Sequence, residues 1–242
     1  MALALIILAA GLGTRMNSTR PKVLHRLAGA PLLHHAMDAA RALQADRVVV
    51  VAGHGADAVE AAARAHTPDA ITVRQEPQLG TAHAVLAARA ALAGFDGDAV
   101  VLYGDTPFIR PETLRAMLAA RRAGAHAVAF LGFETAEPGR YGRLIMAGDR
   151  LIRIVEAKDA TPAELAVTFC NSGVVAADAA TLMTLAASVG NDNAAGEYYL
   201  TDIVAIAAAR GQSATAIACD AAETVGVDSR AGLARAEAAF QA

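Results

Sequence analysis

The sequence has no tryptophan, only two cysteines and little net charge, and these shortages exclude several classes of protein. Cys170 and Cys219 lack the spacing of a metal clip or a disulfide framework, so we expect reduced thiols. A formal charge of −3 over 242 residues argues against the broad basic surface of a nucleic-acid-binding domain. No apolar stretch reaches membrane-spanning length, and the apolar start lacks the basic residues of a signal peptide. We therefore expect a cytoplasmic protein that binds neither nucleic acid nor a membrane.

Short apolar runs alternate with longer helical patterns along the first half of the chain. Strands are predicted at 3–7, 47–52, 70–74, 99–103 and 125–131. Helices are predicted at 31–43, 56–65, 81–92 and 111–122, two of them beginning with proline in the first turn. The alternation predicts an α/β fold with a Rossmann-like, mostly parallel sheet and helices on both faces. Ligands are then expected at the carboxyl ends of the strands.

After Gly132 the pattern changes to two strand-like runs, 141–146 and 151–155, joined by Ala147-Gly148-Asp149. This spacing predicts an inserted β-hairpin, which we interpret as a substrate-binding region of the same domain. A strand at 167–176, helices at 178–189 and 201–210, a strand at 214–218 and a helix at 229–240 follow. We predict a single domain over 1–242, with a nucleotide-binding part to about 132, a sugar-binding part over about 133–228 and a C-terminal helix from 229.

The loop that follows the first strand, LAAGLGTRMNSTRPK, is the most informative segment. Gly11 and Gly13 allow backbone N–H groups to approach phosphate oxygens, and Arg15 and Lys22 add two cations. A P-loop would need Gly-Lys-Ser/Thr, and a dinucleotide fingerprint would need a third glycine. The loop therefore predicts a nucleotide phosphate site of another kind, with an ordinary strand-to-helix turn as the alternative.

Two aspartates are candidate metal ligands. Asp105 directly follows a buried strand, where a carboxylate can hold Mg²⁺ together with nucleotide phosphates and water. Capping of the turn before Pro107 explains Asp105 equally well at this level. Asp228 is the second candidate, although its position also fits an N-cap of the last helix.

Gln75 ends a predicted strand shortly before Gly80, where its amide offers an acceptor and a donor side by side. This pair matches the N3–H donor and the O4 acceptor of uracil, although a surface position is the alternative. The polar ends of later elements offer the mixture that sugar hydroxyls and an acetamido group require. These residues are Glu156, Asn171, Tyr198, Tyr199 and Thr201. The seven histidines, His83 among them, lack ligand spacing, so we expect them to be packed or solvated.

Nine segments in order resemble the sugar-nucleotidyltransferase superfamily. They are LAAGLGTRM, RPKVLH, QLGTAHA, YGDTP, YGR, EAKDAT, NSG, GEYYLTD and GVDSR, spread over 8–230. Most closely, they resemble the uridylyltransferase domain of the bifunctional N-acetylglucosamine-1-phosphate uridylyltransferase/glucosamine-1-phosphate acetyltransferase family. The glycine loop is shared across the superfamily, whereas QLGT-x-HA and GEYYLTD are more specific.

The resemblance implies transfer of UMP from UTP to N-acetyl-α-D-glucosamine 1-phosphate, with Mg²⁺ as cofactor and pyrophosphate as second product. It implies Arg15 and Lys22 as catalytic cations and Asp105 and Asp228 as metal ligands. The nucleotide would contact Leu8, Ala9, Ala10, Gly11, Gly13, Gln75, Gly80 and Thr81. The sugar would contact Tyr103, Gly104, Gly142, Glu156, Asn171, Tyr199 and Thr201.

The chain departs from the family pattern at two points. Asp228 stands where the family usually has asparagine, which keeps an oxygen ligand and adds charge. Bifunctional members continue into a hexapeptide-repeat domain, whereas this sequence stops at Ala242, so we expect a monomer or weak oligomer without acetyltransferase activity. Alternative functions are transfer by another pyrimidine sugar-1-phosphate nucleotidyltransferase, non-catalytic binding of nucleotide sugars and, more distantly, oxidoreduction.

Overall fold

A computed structural model describes residues 1–241 as a nine-stranded mixed sheet, a separate two-stranded ribbon and eight α-helices. The strands are β1 (Ala2–Ala9), β2 (Arg26–Leu27), β3 (Ala30–Pro31), β4 (Arg47–Ala52), β5 (Ile71–Arg74), β6 (Gly97–Tyr103), β7 (Val128–Glu134), β8 (Arg143–Ala147), β9 (Arg150–Val155), β10 (Phe169–Asp178) and β11 (Ala214–Cys219). The helices are α1 (Leu32–Ala42), α2 (Ala56–His66), α3 (Thr81–Ala87), α4 (Pro111–Ala123), α5 (Pro162–Leu165), α6 (Ala179–Ala186), α7 (Ile203–Ala209) and α8 (Arg230–Gln241). Single 3₁₀ turns occur at Thr14–Met16, Lys22–Leu24, Ala90–Leu92, Leu200–Asp202 and Ala221–Thr224.

The main row of the sheet has the order β11-β7-β10-β6-β1-β4-β5. Strand β10 is antiparallel to both of its neighbours in this row, while the other neighbouring pairs are parallel. The predicted mostly parallel sheet is therefore confirmed. Strand β1 is apolar and buried on both faces because parallel strands at the centre of such a sheet are covered by helices on each side.

The hairpin predicted after Gly132 is formed by β8 and β9, and β8 also pairs with β10. Its turn is shorter than expected, because Ala147 belongs to β8 and only Gly148 and Asp149 connect the strands. Gly148 has a φ of +61°, the left-handed conformation that glycine supplies to a tight hairpin turn.

Several predicted boundaries are wrong. The strand predicted at 125–131 begins at Val128 and ends at Glu134 because Ala125, with a φ of +48°, and His126 still bond to the last turn of α4. The helix predicted at 81–92 ends at Ala87, and a separate 3₁₀ turn follows. The segment 201–210 likewise begins as a 3₁₀ turn before α7, and Pro31 precedes α1 as its N-cap.

The fold brings four strand ends to one edge of the sheet. Leu8 of β1 lies beside Tyr103 of β6, Ala9 lies beside Ala52 of β4, and β5 extends this row to Arg74. The glycine loop and the segments that begin with Gln75 and Gly104 therefore emerge together, as is usual for ligand sites in open α/β sheets. Among the described helices, none is long and apolar enough to cross a bilayer.

Candidate functional site

A pocket of about 320 Å³ opens at this edge of the sheet. Ten residues predicted from sequence line it: Leu8, Ala9, Ala10, Gly11, Lys22, Gln75, Gly80, Thr81, Tyr103 and Asp105. Five others complete the lining and were missed: Leu12, Val23, Gln78, Ala84 and Glu197. Gln78, Ala84 and Glu197 lie inside the QLGTAHA and GEYYLTD segments, so the segments themselves were the available signal.

The glycine loop uses its two glycines differently. A side chain at Gly11 would meet nothing within 4 Å, so the backbone there is open to a ligand. Gly13 has a φ of +61°, and a Cβ on it would lie 2.7 Å from Cβ of Lys22. Gly13 therefore shapes the loop and lets it pack on Lys22, but it lies outside the pocket lining.

Lys22 and Asp105 form an ion pair within the pocket. Their side chains are 19% and 15% exposed, so solvent screens this pair less than a surface pair. Asp105 therefore serves as the counterion of Lys22, and the turn-capping alternative for its side chain finds no hydrogen bond among the described residues.

Asp228 pairs with Arg15 at 2.5 Å, in a setting more exposed to solvent. The helix cap considered for Asp228 belongs instead to Ser229, whose Oγ accepts from the Gly232 N–H at 3.1 Å at the start of α8. The N–H of the preceding Val227 donates to the carbonyl of Asp105 at 2.9 Å. The two candidate metal ligands therefore lie on backbone segments that are bonded to each other.

Arg230 ties α8 to the glycine loop and was missed by the sequence analysis. Its Nε donates to the Met16 carbonyl at 3.0 Å and its Nη2 donates to the Asn17 carbonyl at 3.1 Å. These bonds hold the 3₁₀ turn that carries Arg15. The only sequence signal was the arginine of the GVDSR segment.

Gln75 is buried, and its amide is not free in the way that the sequence suggested. Its Nε2 donates to the Gly80 carbonyl at 2.9 Å and lies 3.2 Å from Nδ1 of His83. The expectation of a free donor beside a free acceptor is therefore wrong, because the protein uses the donor. His83 is half-buried, in keeping with the expectation of a packed histidine, and its contact with Gln75 is a role that the sequence did not predict.

Gly80 lies against the backbone of Tyr198. Its φ is +113°, and a Cβ there would lie 2.6 Å from the Tyr198 carbonyl oxygen. The Tyr198 N–H donates to Leu79, and its carbonyl accepts from Ala82. The QLGTAHA and GEYYLTD segments therefore form one wall, which explains why glycine is required here.

A second polar cluster lies where the hairpin meets β10. The hydroxyl of Thr201 donates to Oε1 of Glu156 at 3.1 Å, and the Asn171 N–H donates to the Gly142 carbonyl at 2.8 Å. A Cβ on Gly142 would lie 3.4 Å from Oε1 of Glu156. Burial raises the pKa of Glu156, opposed by the Thr201 hydrogen bond. Four of the predicted sugar-binding residues are thus brought together.

Tyr103 joins the pocket to this cluster. Burial raises the pKa of Tyr103, and the negative charges of Glu156 and then Asp105 add to the effect. Its ring packs on Gly173, where a Cβ would lie 2.5 Å from a ring carbon.

Gly104 and Tyr199 occupy the margins of the site. Gly104 donates its N–H to the Leu8 carbonyl at 2.9 Å, so it holds the end of β1 beneath the pocket. Tyr199 is half-buried and precedes the 3₁₀ turn that presents Thr201. Burial raises the pKa of Tyr199, with the nearby carboxylates of Asp159 and Glu156 adding to it.

The donor set fits a magnesium ion shared with a substrate better than a protein-enclosed metal centre. Within residues 1–241, no group of three or more histidine, cysteine, aspartate or glutamate side chains is placed to hold a metal. Asp105 and Asp228 supply two carboxylates on adjoining segments. Mg²⁺ in nucleotide sites typically takes one or two carboxylates and completes its shell with phosphate oxygens and water.

Comparison with known proteins gives a family match and close relatives. Residues 5–162 match the family of MobA-like NTP transferase domains. The chain is 64% identical over 239 residues to the "Bifunctional protein GlmU" of Jannaschia sp. (strain CCS1), covering 99% of this chain and 52% of the relative. It is 63% identical over 242 residues to the protein of the same name from Dinoroseobacter shibae, covering 100% and 54%. The chain thus spans about half the length of these relatives.

Solved structures share the fold at low sequence identity. A UDP-glucose pyrophosphorylase complexed with UDP-glucose has a TM-score of 0.78 and 19% identity, covering 100% of this chain and 99% of the other. A putative glucose-1-phosphate thymidylyltransferase from Bacillus anthracis has a TM-score of 0.78 and 20% identity, covering 98% and 95%. These similarities extend over the hairpin region as well as the parallel part of the sheet.

Proposed function

The chain belongs to the family of MobA-like NTP transferase domains, and on this premise we propose that it transfers UMP from UTP to N-acetyl-α-D-glucosamine 1-phosphate. The products are UDP-N-acetylglucosamine and pyrophosphate. Close relatives named "Bifunctional protein GlmU" support this assignment, although the match covers about half of each.

The observation that carries the proposal is the composition of the pocket at the ends of β1, β5 and β6. An open glycine backbone, a paired lysine and aspartate, and a buried glutamine amide all line one cavity. A triphosphate needs the first two features, and a base needs the third. The pocket therefore suits a nucleoside triphosphate with its base towards Gln75 and its phosphates towards Lys22.

Uracil is the base that the Gln75 contacts favour. Because Nε2 of Gln75 is engaged with the Gly80 carbonyl, Oε1 is the atom left to a ligand. An acceptor at this position suits the N3–H donor of uracil. The Gly80 N–H has no hydrogen-bond partner among the described residues, so it is available to the O4 acceptor.

The reaction follows from positioning and charge. A phosphate oxygen of the sugar 1-phosphate attacks the α-phosphorus of UTP while the bond to pyrophosphate breaks on the opposite side. No covalent intermediate on the protein is required, because phosphoryl transfer depends mainly on alignment and charge stabilisation. Arg15 and Lys22 lie on the glycine loop, where their charges can meet the negative charge that develops on pyrophosphate.

Asp105 and Asp228 would hold the magnesium ion of this reaction. When bound, the ion neutralises phosphate charge and orients the phosphate oxygens. Its binding requires both carboxylates to exchange their present partners, Lys22 and Arg15. The two cations released in this way become available to the triphosphate.

The cluster around Glu156 is proposed to bind the sugar. Glu156 offers a carboxylate oxygen and Asn171 a side-chain amide, the groups that recognise hydroxyls and an acetamido group. Tyr103 connects this cluster to the nucleotide pocket, so the two substrates would meet beside it. This division supports the proposed nucleotide-binding part to about 132 and sugar-binding part over about 133–228.

The test is a product analysis with UTP, N-acetylglucosamine 1-phosphate and Mg²⁺. We expect UDP-N-acetylglucosamine and pyrophosphate in equal amounts, and almost none of either with the Asp105→Ala variant. Binding of UTP without any pyrophosphate would favour the non-catalytic alternative. Pyrophosphate without the nucleotide sugar would indicate simple hydrolysis of UTP.

A further inference from the structure

Two contacts, with the Gly80 carbonyl and with Nδ1 of His83, determine which atom of Gln75 faces the pocket. A backbone carbonyl can only accept, so the Gln75 atom 2.9 Å from the Gly80 oxygen must be Nε2. The same Nε2 lies 3.2 Å from Nδ1 of His83. An amide NH₂ has two hydrogens, and these two acceptors use both of them. Gln75 can therefore offer only its Oε1 to a ligand.

This arrangement also defines the tautomer of His83. If Nδ1 carried a proton, it would point a hydrogen at the NH₂ group of Gln75, and two donors would oppose each other. His83 must therefore accept at Nδ1 and carry its proton on Nε2. The ring is placed by the first turns of α3 and by the tilted ring of Tyr198, with 6.4 Å between centroids.

We propose that His83 is a positioning residue that sets base specificity by holding the Gln75 amide with Oε1 towards the base. The proposal rests on the proposed function, because the base is that of the nucleotide substrate. Uracil presents an N3–H donor to this oxygen, whereas cytosine presents a bare N3 acceptor and is repelled. Turning the amide to suit cytosine would oppose two oxygens at Gly80 and would end the present bond to His83, which could form again only after the His83 proton moves from Nε2 to Nδ1.

Substitution of His83 tests this by changing discrimination between UTP and CTP. In His83→Leu, turning the amide loses only the bond to Gly80 and no longer the bond to residue 83. The UTP/CTP ratio of kcat/KM should therefore fall about 2- to 10-fold, the range for one hydrogen bond. In His83→Asn, the side-chain Oδ1 can stand near the former position of Nδ1 and accept from Gln75. The ratio should then stay within about 2-fold of wild type, because the acceptor is retained.

A matched control removes a histidine that bonds elsewhere. Nδ1 of His126 lies 2.8 Å from Oγ of Ser213, in a contact between the end of α4 and the start of β11. His126→Leu should lower thermal stability without changing the UTP/CTP ratio. An unchanged ratio in His83→Leu, or an equal fall in His83→Asn and His83→Leu, would overturn the proposal.

Nuclear magnetic resonance of the unmodified protein gives a readout that does not depend on turnover or on any variant folding. The ¹⁵N shifts of His83 should report a proton on Nε2 and none on Nδ1, and both side-chain amide protons of Gln75 should exchange slowly. A proton on Nδ1 would overturn the proposal. If UTP yields no pyrophosphate while the tautomer is as expected, the proposed function fails and the orientation of Gln75 by His83 stands.

Discussion

Lys22 and Asp105, 83 positions apart in the chain, are each other's charge partner in the pocket. We propose a role for both groups in the reaction, Lys22 towards the triphosphate and Asp105 towards the metal. In the free protein each charge is paired with the other. On the proposed function, binding of the magnesium nucleotide would replace this pair, with Lys22 moving to the triphosphate and Asp105 to the metal. This exchange predicts that nucleotide and metal assist each other's binding.

Lys22→Gln tests the exchange. Asp105 loses its counterion in this variant, so the nucleotide-free protein should bind Mn²⁺, used as a spectroscopic substitute for Mg²⁺, more tightly than wild type. Turnover with UTP should fall on the order of 10²–10³-fold, because the variant lacks the charge that we propose to meet the leaving group. Electron paramagnetic resonance titration measures the first effect. The other lysine of the sequence, Lys158, is exposed, and Lys158→Gln should change neither quantity. Unchanged Mn²⁺ affinity in Lys22→Gln would refute the exchange.

Substitutions at Asp228 and Ser229 separate metal binding from helix capping. Asp228→Asn should remain active but need more Mg²⁺, and Asp228→Ala should lose most of its turnover. Because Ser229 makes the cap, Ser229→Ala should cost about 1 kcal/mol of stability with little change in magnesium dependence. Magnesium titrations beside thermal melts measure both effects. Asp228 is not a ligand if Asp228→Ala keeps the wild-type half-saturation by Mg²⁺.

Arg230→Gln should lower kcat more than it raises KM for UTP. The variant loses the paired bonds to Met16 and Asn17 and loosens the turn that carries Arg15, which we propose to act as pyrophosphate leaves. A loss of roughly tenfold or more is expected, since small displacements of aligned groups are costly. Steady-state kinetics measures it, with Arg235→Gln, an exposed site on α8, as the control. A fall in thermal stability with unaltered kcat would mean that Arg230 is only structural.

Glu156→Gln should stabilise the protein at neutral and alkaline pH. Burial raises the pKa of Glu156, so the folded state holds its proton to a higher pH than the unfolded chain does. Stability is therefore lost as pH rises from the ordinary carboxyl range through the raised pKa, and the penalty is complete above it. The glutamine variant lacks this penalty and can still accept from Thr201.

Thermal melts from pH 4 to pH 8 measure the effect of Glu156→Gln. The melting temperature of the variant should exceed that of wild type at pH 8, and the difference should shrink towards pH 4. Activity should fall at the same time, because the carboxylate that we propose as an acceptor for the sugar is lost. Equal melting curves at every pH would contradict the account of Glu156.

Local patterns predicted the part of the fold that depends on near neighbours. The apolar run of β1 is buried, so its composition was enough to predict a strand. The Gly148 turn likewise fixes the β8–β9 hairpin. The predicted element boundaries were wrong where the geometry of a turn decides where an element begins or ends. At Ala125, a left-handed conformation extends the end of α4.

The sequence predicted which segments form the candidate site, but not which residues contact each other within it. The glycine loop, Asp105 and Gln75 were found because strand ends in α/β sheets carry ligand groups. The partners of Asp228 and Arg230 lie more than 200 positions away, and periodicity carries no information on such contacts. The orientation of the Gln75 amide depends on its contacts with the Gly80 carbonyl and with His83 of α3, which no pattern of residue types specifies.

The most direct test of the central claim is a pyrophosphate-release matrix of ATP, GTP, CTP and UTP against N-acetylglucosamine, glucose and galactose 1-phosphates. Values of kcat/KM should be highest for UTP with N-acetylglucosamine 1-phosphate, and activity should depend on Mg²⁺. A larger kcat/KM with GTP, or with glucose 1-phosphate as the acceptor, would contradict the assignment.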